Sequence, residues 1–146
     1  MKILVSACLL GLNCRYCGGG ALDAEVLKLN EKNCIIPVCP EQLGGLSVPR
    51  PPCEIKNGKV MGKDGTDKTD EFGKGAEETL RLAQMLGCTH AVLKERSPSC
   101  GSKIIYDGSF TGQKISGAGI TASLLANNGI KVLSEEDKEE IRRLIG

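Results

Sequence analysis

Apolar residues recur along the chain in two different rhythms. Met1 to Val5 is a short apolar run that ends at Ser6-Ala7-Cys8, and Asn33 to Val38 is a second, ending at Cys39-Pro40. Runs of this length, bounded by turn-forming residues, predict buried strands. Between them, Leu22, Val26, Leu27 and Leu29 follow a helical spacing from about Ala21 to Asn30, which completes a β-α-β unit. From Thr69 to Leu86, the positions Phe72, Ala76, Leu80, Ala83 and Leu86 recur at intervals of three and four, and Gly87 supplies a stop.

Thr89 to Lys94 predicts a third strand that runs into the loop Ser97-Pro98-Ser99-Cys100-Gly101. Lys103 to Tyr106 is a short extended piece before the turn Asp107-Gly108-Ser109, Ile120 to Ala126 is helical, and Ile130 to Leu133 is a last strand. Ser134-Glu135-Glu136-Asp137 resembles a capping box that opens a final helix through Ile145. Alternating strands and helices predict a three-layer α/β domain over residues 1–146, Rossmann-like, with a mostly parallel sheet covered on both faces. Gln42 to Lys68 reads as one long irregular region, and an irregular region of that length in a compact domain is usually functional.

Charge narrows the choice of partner. Nineteen Lys plus Arg against 18 Asp plus Glu give a formal net charge of +1, so no broad field attracts a nucleic acid polymer. A small substrate carrying one phosphate needs only a local basic pocket. The eight cysteines allow a disulfide framework or a metal site, and compartment decides between them. Val5-Ser6-Ala7-Cys8 imitates a lipoprotein cleavage box, but only seven residues precede Cys8, too few for an export signal. No stretch approaches the ~20 apolar residues of a membrane span. A cytoplasmic protein with free thiols is expected, and such thiols, once gathered in space, bind metal or do chemistry.

Cys8, Cys39 and Cys100 each follow the carboxyl end of a predicted parallel strand, the edge at which open α/β sheets bind ligands. Three thiolates leave one coordination position open on a metal, and ligand type alone allows zinc or an iron-sulfur cluster. Cys14-x-x-Cys17 is the only close pair, a spacing found in zinc and redox sites, but no second pair completes a zinc site. Cys34, Cys53 and Cys88 read as packing residues.

Glu41, two residues beyond Cys39, is placed to act as a general base beside a metal. Ser97 and Ser99 either position a ligand or cap their turn. His90 starts its strand and belongs to the opposite end of the sheet. Gly117-Ala118-Gly119-Ile120-Thr121-Ala122 imitates a dinucleotide fingerprint, without the strand and acidic residue that would complete it, and leaves a helix amino end open to a phosphate.

Four ordered motifs carry a family likeness across essentially the whole chain. They are Ser6-Ala7-Cys8-Leu9-Leu10-Gly11 with Arg15-Tyr16; Cys39-Pro40-Glu41 with Gly44-Gly45-Leu46 and Pro49-Arg50-x-Pro52-x-Glu54; Lys94-x-Arg96-Ser97-Pro98-Ser99-Cys100-Gly101; and Tyr106-Asp107-Gly108-x-Phe110 with Gly117-x-Gly119 and Gly129-Ile130. The sequence resembles the thiouracil desulfidase family, also known as domain of unknown function 523. The resemblance implies a 4Fe-4S cluster on Cys8, Cys39 and Cys100 whose fourth iron, not held by cysteine, takes the sulfur of a thiolated uracil or its nucleotide. It implies Glu41 as acid/base and Ser97 as its assistant, with no change of oxidation state. Cys14, Cys17 and Cys53 fall at positions that the family pattern leaves variable. Charge and position make Arg15, Tyr16, Arg50, Lys94 and Ser99 the candidates for holding the base or a phosphate. The competing readings are a sulfur or iron-sulfur carrier without turnover and a zinc protein using Cys14 and Cys17; oligomeric state is open.

Overall fold

Residues of the first strand alternate between two hydrophobic cores, and that alternation defines the layers. The computed structural model describes Met1–Gly146. Its main sheet comprises β1 (Lys2–Ser6) and β2 (Cys34–Val38), followed later in the chain by two more strands. A hairpin, β3 (Cys53–Lys56) and β4 (Lys59–Gly62), precedes β5 (His90–Leu93); a second hairpin, β6 (Ile104–Tyr106) and β7 (Lys114–Ser116), precedes β8 (Lys131–Ser134). The main sheet is parallel throughout, in the order β2-β1-β5-β8.

The helices are α1 (Ala24–Leu27), α2 (Pro40–Leu43), α3 (Thr69–Leu86), α4 (Ile120–Asn127) and α5 (Lys138–Ile145). Ile3, Val5, Val92 and Leu133 pack on one face with Val26 of α1, Leu29 of the 3-10 turn after it, and Ile141 of α5. Leu4, Val38, Ala91 and Leu93 pack on the other with Ala83 of α3 and Ala122 and Leu125 of α4. Period-two strands between two helical layers give the expected three-layer α/β architecture. No helix is long and apolar enough to cross a membrane.

Three local expectations change. The second strand is an edge strand rather than a buried one: β2 has one neighbour, and the edge position accommodates Pro37, which has no N–H to donate. The region Gln42 to Lys68 is not irregular throughout but holds the β3–β4 hairpin, turned at Asn57 (φ 51°) and Gly58 (φ 75°). Positive φ at both positions is what a tight two-residue hairpin turn requires. The Ser134 box forms one turn ahead of its helix: Ser134 N donates to Asp137 Oδ2 and Glu136 N to Ser134 Oγ, while α5 begins at Lys138.

At the middle of the sheet, β1 is followed by a crossover to β2 on one side, and β5 lies on its other side. The order reverses there, so the carboxyl ends of β1 and β5 open a crevice. Every expected thiol ligand sits on that rim.

Candidate active site

Ser6 ends β1, and the 3-10 turn Ala7–Leu10, stopped by Gly11 at φ 94°, carries the buried Cys8. Cys39 links β2 to α2 and donates its thiol to the Cys14 carbonyl at 3.8 Å. Cys100 sits in the loop after β5 and is 5% exposed. The three lie within electrostatic reach of one another in every pairing. Burial pushes the Cys8 thiol up to about 11, with Lys94 pulling it down and Cys39 adding to the rise. Burial likewise pushes Cys100 up to about 12 against the lowering effect of a Ser6 hydrogen bond. The Cys8 and Cys100 thiols therefore hold their protons at neutral pH until a metal displaces them.

The loop holding Cys100 is fixed from several sides. Ser97 Oγ accepts from Ser99 N at 3.1 Å and Cys100 N at 3.0 Å. Ser97 also acts to lower the pKa of Glu41, against the rise that burial causes. The Glu95 carboxylate, 2% exposed, accepts from Ser102 N at 2.8 Å and Lys103 N at 3.1 Å. Those bonds hold its pKa below the usual carboxylate range although burial acts to raise it.

Behind the loop, the carbonyls of Pro98 and Ser99 accept from Ile120 N, Thr121 N and Ala122 N, the free donors at the start of α4. A side chain at Gly119 would place its Cβ 2.5 Å from Ser99 backbone atoms. The glycine pattern thus serves close packing of the Cys100 loop, and the helix end expected to be open to a phosphate is already filled.

Glu41 is 17% exposed, on α2, and accepts from Arg50 Nε at 3.0 Å. Burial raises its pKa, while Arg50 and Ser97 act to lower it. The rest of Arg50 is spent on scaffold: its other nitrogens donate to the carbonyls of Ser47 and Cys14, each at 3.0 Å. Lys94 Nζ pairs with Glu135 at 2.9 Å, and Arg96, at φ 67°, pairs with Glu136 at 2.7 Å. Arg15 has no ion-pair partner; its guanidinium lies 5.8 Å from the centre of the Tyr16 ring.

All these groups meet in one cavity of about 460 Å³, the size of a small-molecule site. Cys8, Cys39, Cys100, Glu41, Ser97, Arg15, Tyr16, Arg50 and Lys94 line it. Ser99 does not: its hydroxyl pairs with Thr121 Oγ1 at 2.8 Å in the interior, 1% exposed, so the expected ligand contact is a packing contact. Cys14 and Cys53, which looked like side issues in the sequence, line the cavity as well. Cys14 is buried, and its backbone carbonyl accepts from the Cys39 thiol. Cys17 is exposed and outside the lining, so the Cys14-x-x-Cys17 pair does not act as a unit. Ser6, Glu54, Tyr106 and Phe110, which the family motifs include, also line the site, as does Glu95, which no motif singled out.

The donor set itself tests which metal group fits. Bonds of ~2.3 Å to one zinc ion at tetrahedral angles bring sulfurs to about 3.8 Å of each other. No three Cys, His, Asp or Glu side chains are arranged to hold a single ion. Three thiols lining one cavity are the soft donor set that an iron-sulfur cluster takes.

A three-layer α/β fold with a thiol-rimmed cavity at the switch point of its parallel sheet, and a buried carboxylate facing it, defines an enzyme of metal-assisted chemistry on a small ligand. The chain belongs to the 2-thiouracil desulfurase family, whose model matches residues 3–137. Among solved structures, it is similar to the [4Fe-4S]-dependent thiouracil desulfidase TudS (DUF523Vcz), with a TM-score of 0.92 and 43% identity over 97% of this chain and 95% of that one. It is 42% identical to the uncharacterized protein YbbK of Bacillus subtilis (strain 168), over 95% of this chain and 99% of YbbK.

Proposed function

We propose that the protein replaces the sulfur of a thiolated uracil, as 2-thiouracil, 4-thiouracil or 4-thiouridine monophosphate, with oxygen from water and releases sulfide. The observation that carries the reading is the meeting of Cys8, Cys39 and Cys100 with Glu41 and Ser97 in one cavity. Cys8, Cys39 and Cys100 would hold a 4Fe-4S cluster, which when bound supplies a sulfur-seeking Lewis acid at an iron without a cysteine ligand.

The protein's own groups do the rest. Glu41, partly shielded from water and made more basic by burial, takes a proton from the attacking water. Arg50 aims its carboxylate, and Ser97, which accepts from Cys100 N, lines the same cavity. Arg15, Tyr16 and Lys94 line the side on which a base or its phosphate rests. Thiocarbonyl plus water gives carbonyl plus hydrogen sulfide, so no electron enters or leaves. Free thiols in such a centre fit a reducing cytoplasm.

The test is sulfide release from the three thiolated compounds by anaerobically purified protein. Glu41→Gln is expected to lower the rate roughly 10²- to 10⁴-fold with iron content unchanged. A rate indifferent to Glu41→Gln would favour a sulfur carrier, and colourless protein with one zinc, lost on Cys14→Ser, would favour the zinc reading.

A further inference from the structure

The chain holds two Tyr, two Phe and no Trp, and three of those four rings, Tyr16, Tyr106 and Phe110, line the cavity. The fourth, Phe72, is core. Phe110 adopts φ 58°, a left-handed backbone that a bulky residue rarely accepts. Neither hydrophobic core includes it, so core packing does not explain the conformation.

What holds it is Glu54 on β3. One carboxylate oxygen, Oε1, accepts from Gly108 N at 3.0 Å and Phe110 N at 3.1 Å. Gly108, at φ 93°, lets the turn lie directly on β3: a Cβ there would sit 2.7 Å from Lys56 Cβ and 2.8 Å from the Ile55 carbonyl. Asp107 N donates to the Gln113 carbonyl at 3.0 Å and closes the turn from outside. Backbone strain kept by dedicated bonds at the wall of a binding cavity marks a positioned group.

We propose that Phe110 is the stacking wall that selects a planar, unsaturated pyrimidine ring, and that Glu54 is the positioning residue that holds it there. The inference rests on the desulfidase reading for its choice of ring, and it adds the feature by which the ring is recognised. Stacking on an aromatic side chain is sequence-tolerant among bases but requires a flat π face. A saturated ring with the same hydrogen-bonding edge therefore loses the interaction.

The experiment is calorimetric titration of anaerobically purified protein with uracil and with 5,6-dihydrouracil. Wild type is expected to prefer uracil by on the order of tenfold or more. Phe110→Leu keeps an apolar side chain without a flat face and should abolish that preference, whereas Phe110→Trp should keep it. Glu54→Ala should weaken the preference and Glu54→Gln, which retains an acceptor oxygen, should restore it, with iron content unchanged in both. Phe110→Leu with the wild-type preference, or wild type that binds the two compounds alike or binds neither, overturns the proposal. Wild type that prefers uracil yet releases no sulfide from thiouracils contradicts the desulfidase reading and leaves the stacking wall in place.

Discussion

Arg50 shows how one side chain can be assigned to the right site and the wrong partner. Its motif and charge pointed to a ligand-holding role, but its side chain is 6% exposed and its guanidinium is divided among Glu41, Ser47 and Cys14. It ties Glu41, the proposed general base, to two loops. Arg50→Ala leaves a buried carboxylate without its counter-charge and is expected to destabilise the fold by about 3 kcal/mol, measured by chemical denaturation. Lysine keeps the charge but not the three-way fork, so Arg50→Lys should recover only part of the loss. Cys8, Cys39 and Cys100 stood out in the sequence because each follows the carboxyl end of a predicted strand, and all three line the cavity. Cys14 escaped because its partner in space is Cys39, not Cys17, and spacing along the chain carries no sign of that.

Two glycines of α3 separate packing from conformational freedom. Gly75 faces α2 so closely that a Cβ would lie 2.0 Å from the Pro40 carbonyl, and Gly44 meets the Glu71 carbonyl at the same distance from the other side. Backbone contact of this kind fixes α2, and with it Glu41. Gly73, two residues away, has nothing within 4 Å of a Cβ. Gly73→Ala is therefore expected to stabilise by about 0.5–1 kcal/mol and leave activity alone, while Gly75→Ala should destabilise and lower sulfide release; urea titration and activity of the pair check both.

At the start of α1, Asp23 accepts from Glu25 N at 3.0 Å and Val26 N at 3.1 Å and pairs with Lys138 at 2.9 Å. Burial acts to raise its pKa, but these bonds more than offset it and the folded value is lowered. The stabilisation is thus present above the unfolded pKa of about 3.9 and lost as pH falls through the lower folded value. Asp23→Ala should cost about 1 kcal/mol at pH 7, and the gap from wild type should close in acid. At this scale the long periodic helix was legible and the β3–β4 hairpin was not, although Asn57-Gly58 is a strong turn signal. Its strands are four residues each and half-polar, too short for alternation to stand out.

Across the whole molecule, parallel order does the gathering. β1, β2 and β5 lie side by side and point the same way, so loops more than 25 residues apart in the sequence end on one rim. Layering and rim were legible because strand-helix alternation admits few topologies. The walls of the cavity were not, because they come from hairpins and tight turns whose residues are brought in by Glu54 and Glu95 through backbone bonds that leave no periodic mark.

The most direct test is iron and acid-labile sulfide content after anaerobic reconstitution of wild type and the Cys8→Ala, Cys39→Ala, Cys100→Ala and Cys17→Ala variants. The account predicts about four of each per chain in wild type and Cys17→Ala, with sharp loss in the other three. Full cluster content in any of those three, or stoichiometric zinc in place of iron, would contradict it.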